Sequence, residues 1–208
     1  GELKGTFSSG RSYTLNNIKI GNHELKIGSW KANVKVENGK TSDIIASVGL
    51  TDSRDGKTYK TVRIGNQTWM AQNLNYYSGG SWCYDNNPEN CNKFGRLYTY
   101  DAAIKNCPKG WHLPTDQEWT ELVNYFGGEE TAGKELKLKG KSGFDALLGG
   151  SRVPMGSFGL IGSYGCFWSS TKYDKTHAWY RYITNQNDYI IRTYFTTTYG
   201  FSVRYVKD

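Results

Sequence analysis

The sequence predicts an α+β fold of short antiparallel strands, two helices and long irregular loops, preceded by a small β segment. Aromatic residues make up 15% of the chain and 25 residues are glycine, which is typical of short strands joined by loops rather than of a helical bundle. A helix-capping signal with apolar periodicity follows Pro114. A series of tyrosine-rich alternating runs follows Phe167 and predicts a C-terminal sheet.

The length of 208 residues allows one domain of ordinary size together with a smaller piece. We divide the chain into a β segment, residues 1–50, and a main domain, residues 51–208. Basic residues number 26 against 19 acidic residues, a net charge of +7. They are scattered, and the densest run, Lys134–Lys141, is short, which disfavours a nucleic-acid interface. No run approaches the roughly 18–20 apolar residues that span a bilayer, and the lack of a secretory signal at Gly1 indicates a trimmed or processed form.

The N-terminal segment is predicted to be all β. Alternation in Ser12–Ile20 and Leu25–Trp30 predicts a hairpin that turns near Gly21-Asn22. A further strand is expected to end at Asn38-Gly39, and the polar stretch Thr51–Lys57 is interpreted as the boundary. About fifty residues struggle to form a stable domain alone, so this segment either packs on the main domain or is the remnant of a larger domain.

The main domain opens with a predicted hairpin. Thr58–Met70 alternates on either side of Gly65-Asn66, a dipeptide that permits positive φ. Phe94–Cys107 is typical of a strand followed by a short helix.

The four cysteines indicate disulfides, and therefore an oxidising, extracytoplasmic setting. Cys83 and Cys91 bracket a short polar loop that a disulfide can close. Cys107 and Cys166 lie far from that pair and from each other, and a bridge between them is the second expectation. The paired spacing of a zinc site is lacking, so no metal ligand is assigned.

The stretch Cys107–Trp119 crowds cysteine, histidine and acidic residues together, as a metal or nucleophile site would. Thr115 and Glu118, however, form the T-x-x-E capping box that begins a helix. One apolar helical face follows, formed by Trp119, Leu122, Val123 and Phe126. His112 is expected to be packed or hydrogen-bonded, because no nucleophile accompanies it at a recognisable spacing. We therefore interpret the stretch as structural.

The next region predicts less regular structure. Glu129–Gly140 predicts a second, shorter helix. Residues 143–170 are dense in glycine, which is typical of irregular loops that cross short strands. The pattern of a phosphate-binding loop is lacking.

From Phe167 onward, the sequence predicts successive short antiparallel strands joined by tight polar turns. Alternation in His177–Ile183 directs one set of side chains to one face: Ala178, Tyr180 and Tyr182. The intervening residues form the other face: Trp179, Arg181 and Ile183. We expect one of these two faces to be exposed.

Tyrosine, threonine and asparagine on a rigid sheet resemble the chemistry of binding loops, although tyrosine and threonine are also good strand formers. The candidate ligand contacts are Trp179, Tyr180, Arg181, Tyr182, Asn185, Asn187, Asp188, Tyr189, Arg192, Tyr194 and Tyr199.

Six motifs between Asp55 and Asp208 resemble the Fibrobacter succinogenes major paralogous domain. They are DGKTYKTVRIGNQTWMAQNLNY, CYDNNPENC, FGRLYTYDAA, CPKGWHLPTDQEW, FWSST and GFSVRYVKD. The resemblance implies a C-type-lectin-like fold in a surface-exposed or secreted protein or lipoprotein of the Bacteroidetes or Fibrobacteres. The first fifty residues resemble, more weakly, the closing strands of a Bacteroides fimbrillin domain, whose final I-x-x-W corresponds to Ile27–Trp30.

Two positions depart from the family pattern. The family often has a cysteine where this chain has Tyr205, and Cys166 is an additional cysteine. Either Cys166 replaces the missing partner of Cys107, or that pairing is absent.

These observations predict a non-catalytic recognition module for a glycan or a surface protein, placed on the cell surface in an outer-membrane lipoprotein or a pilus-associated protein. One alternative is a structural or tip subunit whose exposed strand edges pair with neighbouring pilus subunits. Another is an oxidase similar to formylglycine-generating enzymes, which is disfavoured because that chemistry uses a copper-binding cysteine pair and only Cys166 lies in the matching region. No cofactor is expected; Asp85 and Glu89 offer oxygen ligands for calcium, but a solvated acidic loop explains them better.

Overall fold

The structure is a computed structural model that describes residue 19 and residues 21–27, 30–37 and 49–208. The chain forms two compact units, Gly1–Val48 and Gly49–Asp208. Helices and sheets are both present and the sheets predominate, which confirms the α+β class. No helix of the described residues is long and apolar enough to span a membrane.

The described residues of the first unit form an antiparallel hairpin, β1 Gly21–Ile27 and β2 Trp30–Val36. Gly21 pairs with Val36, and Ile27 pairs with Trp30. The predicted turn at Gly21-Asn22 is therefore wrong: these residues begin β1, because pairing along a seven-residue strand outweighs a two-residue turn signal. The predicted strand end at Asn38-Gly39 lies outside the described residues.

The second unit has the following elements in chain order. Its first part contains β3 Leu50–Thr51, β4 Thr58–Tyr59, β5 Thr61–Ile64, β6 Gln67–Met70, β7 Ser81–Trp82, a 3-10 helix Tyr84–Asn86, α1 Pro88–Phe94, β8 Leu97–Tyr98 and α2 Tyr100–Lys105. Its second part contains β9 Trp111–His112, α3 Asp116–Tyr125, α4 Ala132–Leu136, β10 Gly149–Arg152, β11 Phe158–Ile161, β12 Tyr164–Lys172, β13 His177–Thr184, β14 Ile190–Thr196 and β15 Val206–Lys207.

Two sheets organise this unit. The larger has the order β11-β10-β12-β13-β14, and the second has the order β5-β6-β15-β9. The last strand of the chain, β15, thus completes the sheet that the hairpin β5-β6 begins. That hairpin turns at Gly65, whose φ is +57°, as predicted. Thr51–Lys57 forms the turn between β3 and β4, where Arg54 binds the buried carboxylate of Asp52.

The helices confirm the capping prediction and add one helix. Thr115 accepts a hydrogen bond from the Glu118 backbone N–H, and the Glu118 carboxylate accepts one from the Thr115 N–H, so α3 begins at a capping box. The strand and short helix expected in 94–107, and the second helix, are also present. The added helix is α1, inside the predicted loop, where the Asn87 side chain caps the N-terminus and Pro88 occupies the first turn. The described residues therefore contain four α-helices: the two of the predicted fold class, α3 and α4, the short helix expected in 94–107, α2, and the unexpected α1.

Cys83 and Cys91 form the predicted disulfide, but Cys107 and Cys166 are both free, so the second predicted bridge is wrong. Cys166 is buried in the core, and Cys107 instead packs beside Tyr205. Burial raises the pKa of the Cys166 thiol to about 12. Tyr205 therefore occupies the space beside Cys107.

The interior consists of two hydrophobic clusters. One gathers around Trp168, Tyr98 and Phe201, and the other around Trp69, Trp119 and Phe144. The fully buried Arg204 donates hydrogen bonds to the Asn73 side chain and to three backbone carbonyl groups. These bonds join the C-terminal segment to two distant parts of the chain.

Candidate functional site

The predicted contact residues lie on β13, β14 and the turn between them. β13 pairs with β12 on one side and with β14 on the other, in antiparallel register that places Trp179 opposite Tyr194 and Ile183 opposite Ile190. β14 is the edge strand of the sheet. The candidate residues nevertheless have four different environments.

The first environment is buried. Ile183 lies in the hydrophobic cluster beneath α3, and Arg181 is 1% exposed. The Arg181 guanidinium donates hydrogen bonds to Glu129 and Thr120 and lies 3.3 Å from the Asp116 carboxylate. Arg181 is therefore a structural side chain that a ligand cannot reach, which corrects its place among the predicted contacts.

The second environment is an exposed group that we call the outer aromatic cluster: Tyr173, Trp179, Arg192 and Tyr194. The rings of Tyr173 and Tyr194 stack in parallel with centroids 3.7 Å apart, and Trp179 meets both edge-on. Arg192 lies 3.4 Å from the centroid of the Trp179 ring and donates to the Asp116 carboxylate over 2.8 Å. Tyr173 is 49% exposed and Tyr194 40% exposed, so this cluster presents aromatic and cationic surface to solvent.

Two side chains here were missed by the sequence analysis: Tyr173, a member of the cluster, and Asp174 beside it. Tyr173 lies in the hairpin between β12 and β13, and the Tyr173 N–H donates to the His177 carbonyl. The Asp174 carboxylate accepts hydrogen bonds from the backbone N–H groups of Thr176 and His177, which lower its pKa to about 2. The hydrogen bond with Tyr194 raises the pKa of Tyr173. Tyr173 follows the predicted strand that begins at Phe167 and precedes the strand that carries Trp179. This place in the chain is the signal that could have identified it.

The third environment is the opposite face of β13, which packs against the first hydrophobic cluster. Ala178 is fully buried, and Tyr180, Tyr182 and Tyr199 are half-buried against that cluster. The Tyr180 ring lies 4.6 Å from Phe201, and burial raises the pKa of Tyr180. Because both faces of β13 contact the interior, the expectation that one whole face is exposed is wrong.

The fourth environment is the turn after β13, which holds Asn185, Asn187, Asp188 and Tyr189, all exposed. Most of its polar side chains form hydrogen bonds that hold the turn in place. Asn187 accepts from the Tyr189 N–H, and Asn185 donates to the Gly162 carbonyl. Lys137 binds both the Asn187 carbonyl and the Asp188 carboxylate. Tyr189, 45% exposed, is the large side chain that this turn presents.

Outside this sheet, His112 and its two carboxylate partners form the polar group that the sequence singled out. His112 hydrogen-bonds Glu118 through Nε2 and Asp208 through Nδ1, each over 2.7 Å, which confirms that it is hydrogen-bonded. Burial opposes protonation, but these two carboxylates outweigh it and raise the pKa of His112. Within the part of the chain that the structure describes, no three His, Cys, Asp or Glu side chains gather as metal ligands would.

Comparison with known proteins gives one match. The family description for the Fibrobacter succinogenes major domain matches residues 62–207. No curated protein and no solved structure matches the chain significantly. The matched residues include all four helices of the second unit and both of its larger sheets, apart from Thr61, the first residue of β5.

Proposed function

We propose, on the premise that the chain belongs to the Fibrobacter succinogenes major domain family, that it is a non-catalytic recognition module of a bacterial surface protein. Domains of this family are surface-associated. The proposed ligand is a glycan or a surface protein that binds the outer aromatic cluster. The proposed location is the outside of the cell, in a lipoprotein or a pilus-associated protein.

The observation that carries the proposal is the exposure of the outer aromatic cluster. Three aromatic rings and a guanidinium contact one another at the surface, although burying these rings in the interior would be more favourable by about 1.5–3 kcal/mol for each ring. Contiguous aromatic surface of this kind is typical of binding sites. Ring faces stack on the apolar faces of sugars or on a protein partner, and Arg192 adds a directional donor.

Two structural features prepare the cluster for binding. Cross-strand pairing of Trp179 with Tyr194 fixes both backbones, and the Tyr173–Tyr194 stack fixes the rings. Asp116, at the N-terminus of α3, orients Arg192. A ligand therefore meets side chains that have already lost most of their rotamer freedom, which lowers the entropic cost of association.

Screening the purified chain on glycan and surface-protein arrays, followed by affinity measurement with each hit, tests this proposal. Tyr173→Ser with Tyr194→Ser should reduce the affinity at least tenfold, since stacking contacts contribute about 1–3 kcal/mol each. Tyr77→Ser is the matched control, because Tyr77 is 75% exposed and lies outside the cluster. An affinity equal to that of the unaltered chain in the double variant contradicts the role of the cluster.

A second function, assembly by strand addition, is favoured by the edge of β14. The Ile190 N–H points away from β13, since it donates to the Glu129 carbonyl. By alternation, the backbone groups of Arg192 and Tyr194 also point outward, and the described residues provide no backbone partner for their N–H groups. An edge of this kind accepts a neighbouring strand. Concentration-dependent sedimentation of the chain tests this function, and a monomer at every concentration contradicts self-assembly through β14.

A further inference from the structure

A cleft lies apart from the C-terminal surface, on the side of the second unit formed by β4, the segment Gln72–Asn75 and the last turn of α1. Its volume is about 230 Å³. That is below the ~300–1,000 Å³ typical of sites for drug-sized ligands, so it suits one sugar unit. Neither the family match nor the proposed function accounts for this cleft.

The walls of the cleft are fixed by hydrogen bonds. The buried Asn73 donates to the Phe94 carbonyl and accepts from Arg204. The Tyr59 hydroxyl accepts from the Asn75 N–H over 3.1 Å, and burial raises the pKa of Tyr59 to about 12, so that it is neutral at pH 7. The disulfide at Cys91 holds the helix that forms the other wall. A rigid frame of this kind is what a specific site requires.

The rim of the cleft is rich in side-chain amides with free hydrogen-bonding capacity. Gln72 uses only its carbonyl oxygen, which accepts from the Lys60 N–H. The side-chain amides of Asn75 and Asn92 make no hydrogen bond to any residue that the structure describes. Each amide offers both a donor and an acceptor, which suits the neighbouring hydroxyl groups of a sugar ring.

The charge of the cleft is positive. Two lysines, Lys57 and Lys93, line it, and none of the carboxylates that the structure describes does. The charge of Lys57 is already paired, since its ammonium binds the Asn75 carbonyl and the Asp55 carboxylate. Lys93 forms no ion pair within the described part of the chain, and its ammonium lies 4.9 Å from the centroid of the Phe94 ring. One uncompensated cation therefore lies next to an aromatic ring and three amides.

We propose that this cleft binds a hexuronate, a sugar that carries a carboxylate, as a free monosaccharide or as a unit of an acidic polysaccharide. The Lys93 ammonium pairs with the carboxylate, and the amides of Gln72, Asn75 and Asn92 bond the hydroxyl groups. The Phe94 ring contacts the apolar face of the sugar. A neutral sugar makes the same hydroxyl contacts but leaves Lys93 unpaired.

Titration of the full chain with glucuronate, with glucose and with a glucuronate oligosaccharide, followed by calorimetry and NMR, tests the assignment. We expect saturable binding of glucuronate, and affinity for glucose at least tenfold weaker. Lys93→Gln should lower the glucuronate affinity about tenfold, the size of one charge-assisted contact. Lys60→Gln is the matched control, because Lys60 is an exposed lysine near the cleft that does not line it. If the oligosaccharide binds more tightly than free glucuronate, the ligand is a unit of a polysaccharide. If the two affinities are equal, the ligand is the monosaccharide.

Four outcomes overturn the proposal: no saturable glucuronate binding, equal affinity for glucose, an unchanged glucuronate affinity in Lys93→Gln, or an N-acetylglutamate peptide that binds through Lys93 more tightly than glucuronate does. The thermal midpoint of each variant, compared with that of the unaltered chain, excludes unfolding as the cause of lost binding. Tyr173→Ser with Tyr194→Ser keeps glucuronate binding if the cleft is the site. Loss of glucuronate binding in that double variant assigns it to the outer aromatic cluster and overturns the cleft, so the two proposals fail separately.

Discussion

Several arginines lie against an aromatic ring, and two of them differ most in burial, one in the interior and one at the surface. Arg204 lies 4.7 Å from the Phe144 ring centroid and is fully buried. Arg192 lies 3.4 Å from the Trp179 ring centroid and its side chain is 37% exposed. The pairing is similar in kind, but its surroundings differ.

In the interior, the guanidinium is surrounded by acceptors and serves the fold. Burial lowers the pKa of Arg204 to about 9, since the charged form has lost its water. Carbonyl groups and the Asn73 amide replace that water. At the surface, Arg192 keeps part of its hydration and a single carboxylate partner, Asp116. The Arg204–Phe144 contact therefore stabilises the fold, whereas the Arg192–Trp179 contact lies at the surface, where a ligand can reach it.

The largest expected effect is at Arg204. Arg204→Lys should lower the free energy of unfolding by about 3–5 kcal/mol, because one ammonium cannot satisfy the Asn73 oxygen and three carbonyl groups together. Urea denaturation measures the loss. Arg63→Lys is the control, since Arg63 is exposed and binds only the Gly65 carbonyl, and should change stability by less than about 0.5 kcal/mol. A loss under about 1 kcal/mol at Arg204 contradicts the structural role.

Arg181 is the intermediate case. It is as buried as Arg204, but its Nε has no partner among the described residues, and its partner Glu129 is half exposed. Arg181→Met should therefore cost about 1–2 kcal/mol, less than Arg204→Lys, because a buried cation is removed while Asp116 keeps Arg192. Urea denaturation of both variants under one set of conditions compares them. An equal loss of unfolding free energy in Arg181→Met and Arg204→Lys would show that the number of hydrogen-bond partners does not determine the cost.

Local sequence signals predicted the elements of the fold well. The capping box at Thr115, the turn at Gly65 and the Cys83–Cys91 loop depend on residues close in sequence, and each is present. Helix α1 was missed because the polar heptapeptide between the two cysteines has no apolar periodicity. The bridge expected between Cys107 and Cys166 was wrong, because the residue that packs beside Cys107, Tyr205, is distant in sequence.

The site was predicted less completely, for a physical reason. Strand alternation correctly separated Tyr180 from Trp179, but it cannot show which element covers each face. Helix α3 covers Arg181, and the interior cluster covers Tyr180. The free surface is left beyond the first residue of the helix, Asp116, at Trp179 and Tyr194. Its position depends on tertiary packing rather than on the local pattern.

A smaller effect is expected at His112, whose side chain is 37% exposed, as is that of Arg192. Its pKa is raised in the folded state, so protonation stabilises the fold below the ordinary histidine pKa of about 6.5. That contribution is lost as the pH rises through the folded pKa. Solvent screening limits it to under about 1 kcal/mol. The free energy of unfolding, measured as the pH rises through the folded pKa, should fall in the unaltered chain and fall less steeply in His112→Gln. Identical slopes contradict the linkage.

The smallest expected effect tests the surface pair itself. A double-mutant cycle with Arg192→Gln and Trp179→Leu should give a coupling free energy of about 0.5–1 kcal/mol, the usual size of an exposed cation–π contact. The control cycle pairs Arg192→Gln with Tyr189→Ala, which should be additive within about 0.5 kcal/mol, because the two side chains share no contact that the structure describes. If the Trp179 cycle is also additive, Asp116 alone holds Arg192, and the ring face of Trp179 is free for a ligand without rearrangement. A coupling above about 2 kcal/mol would instead mean that the pair is desolvated as in the interior, and that the cluster belongs to the fold.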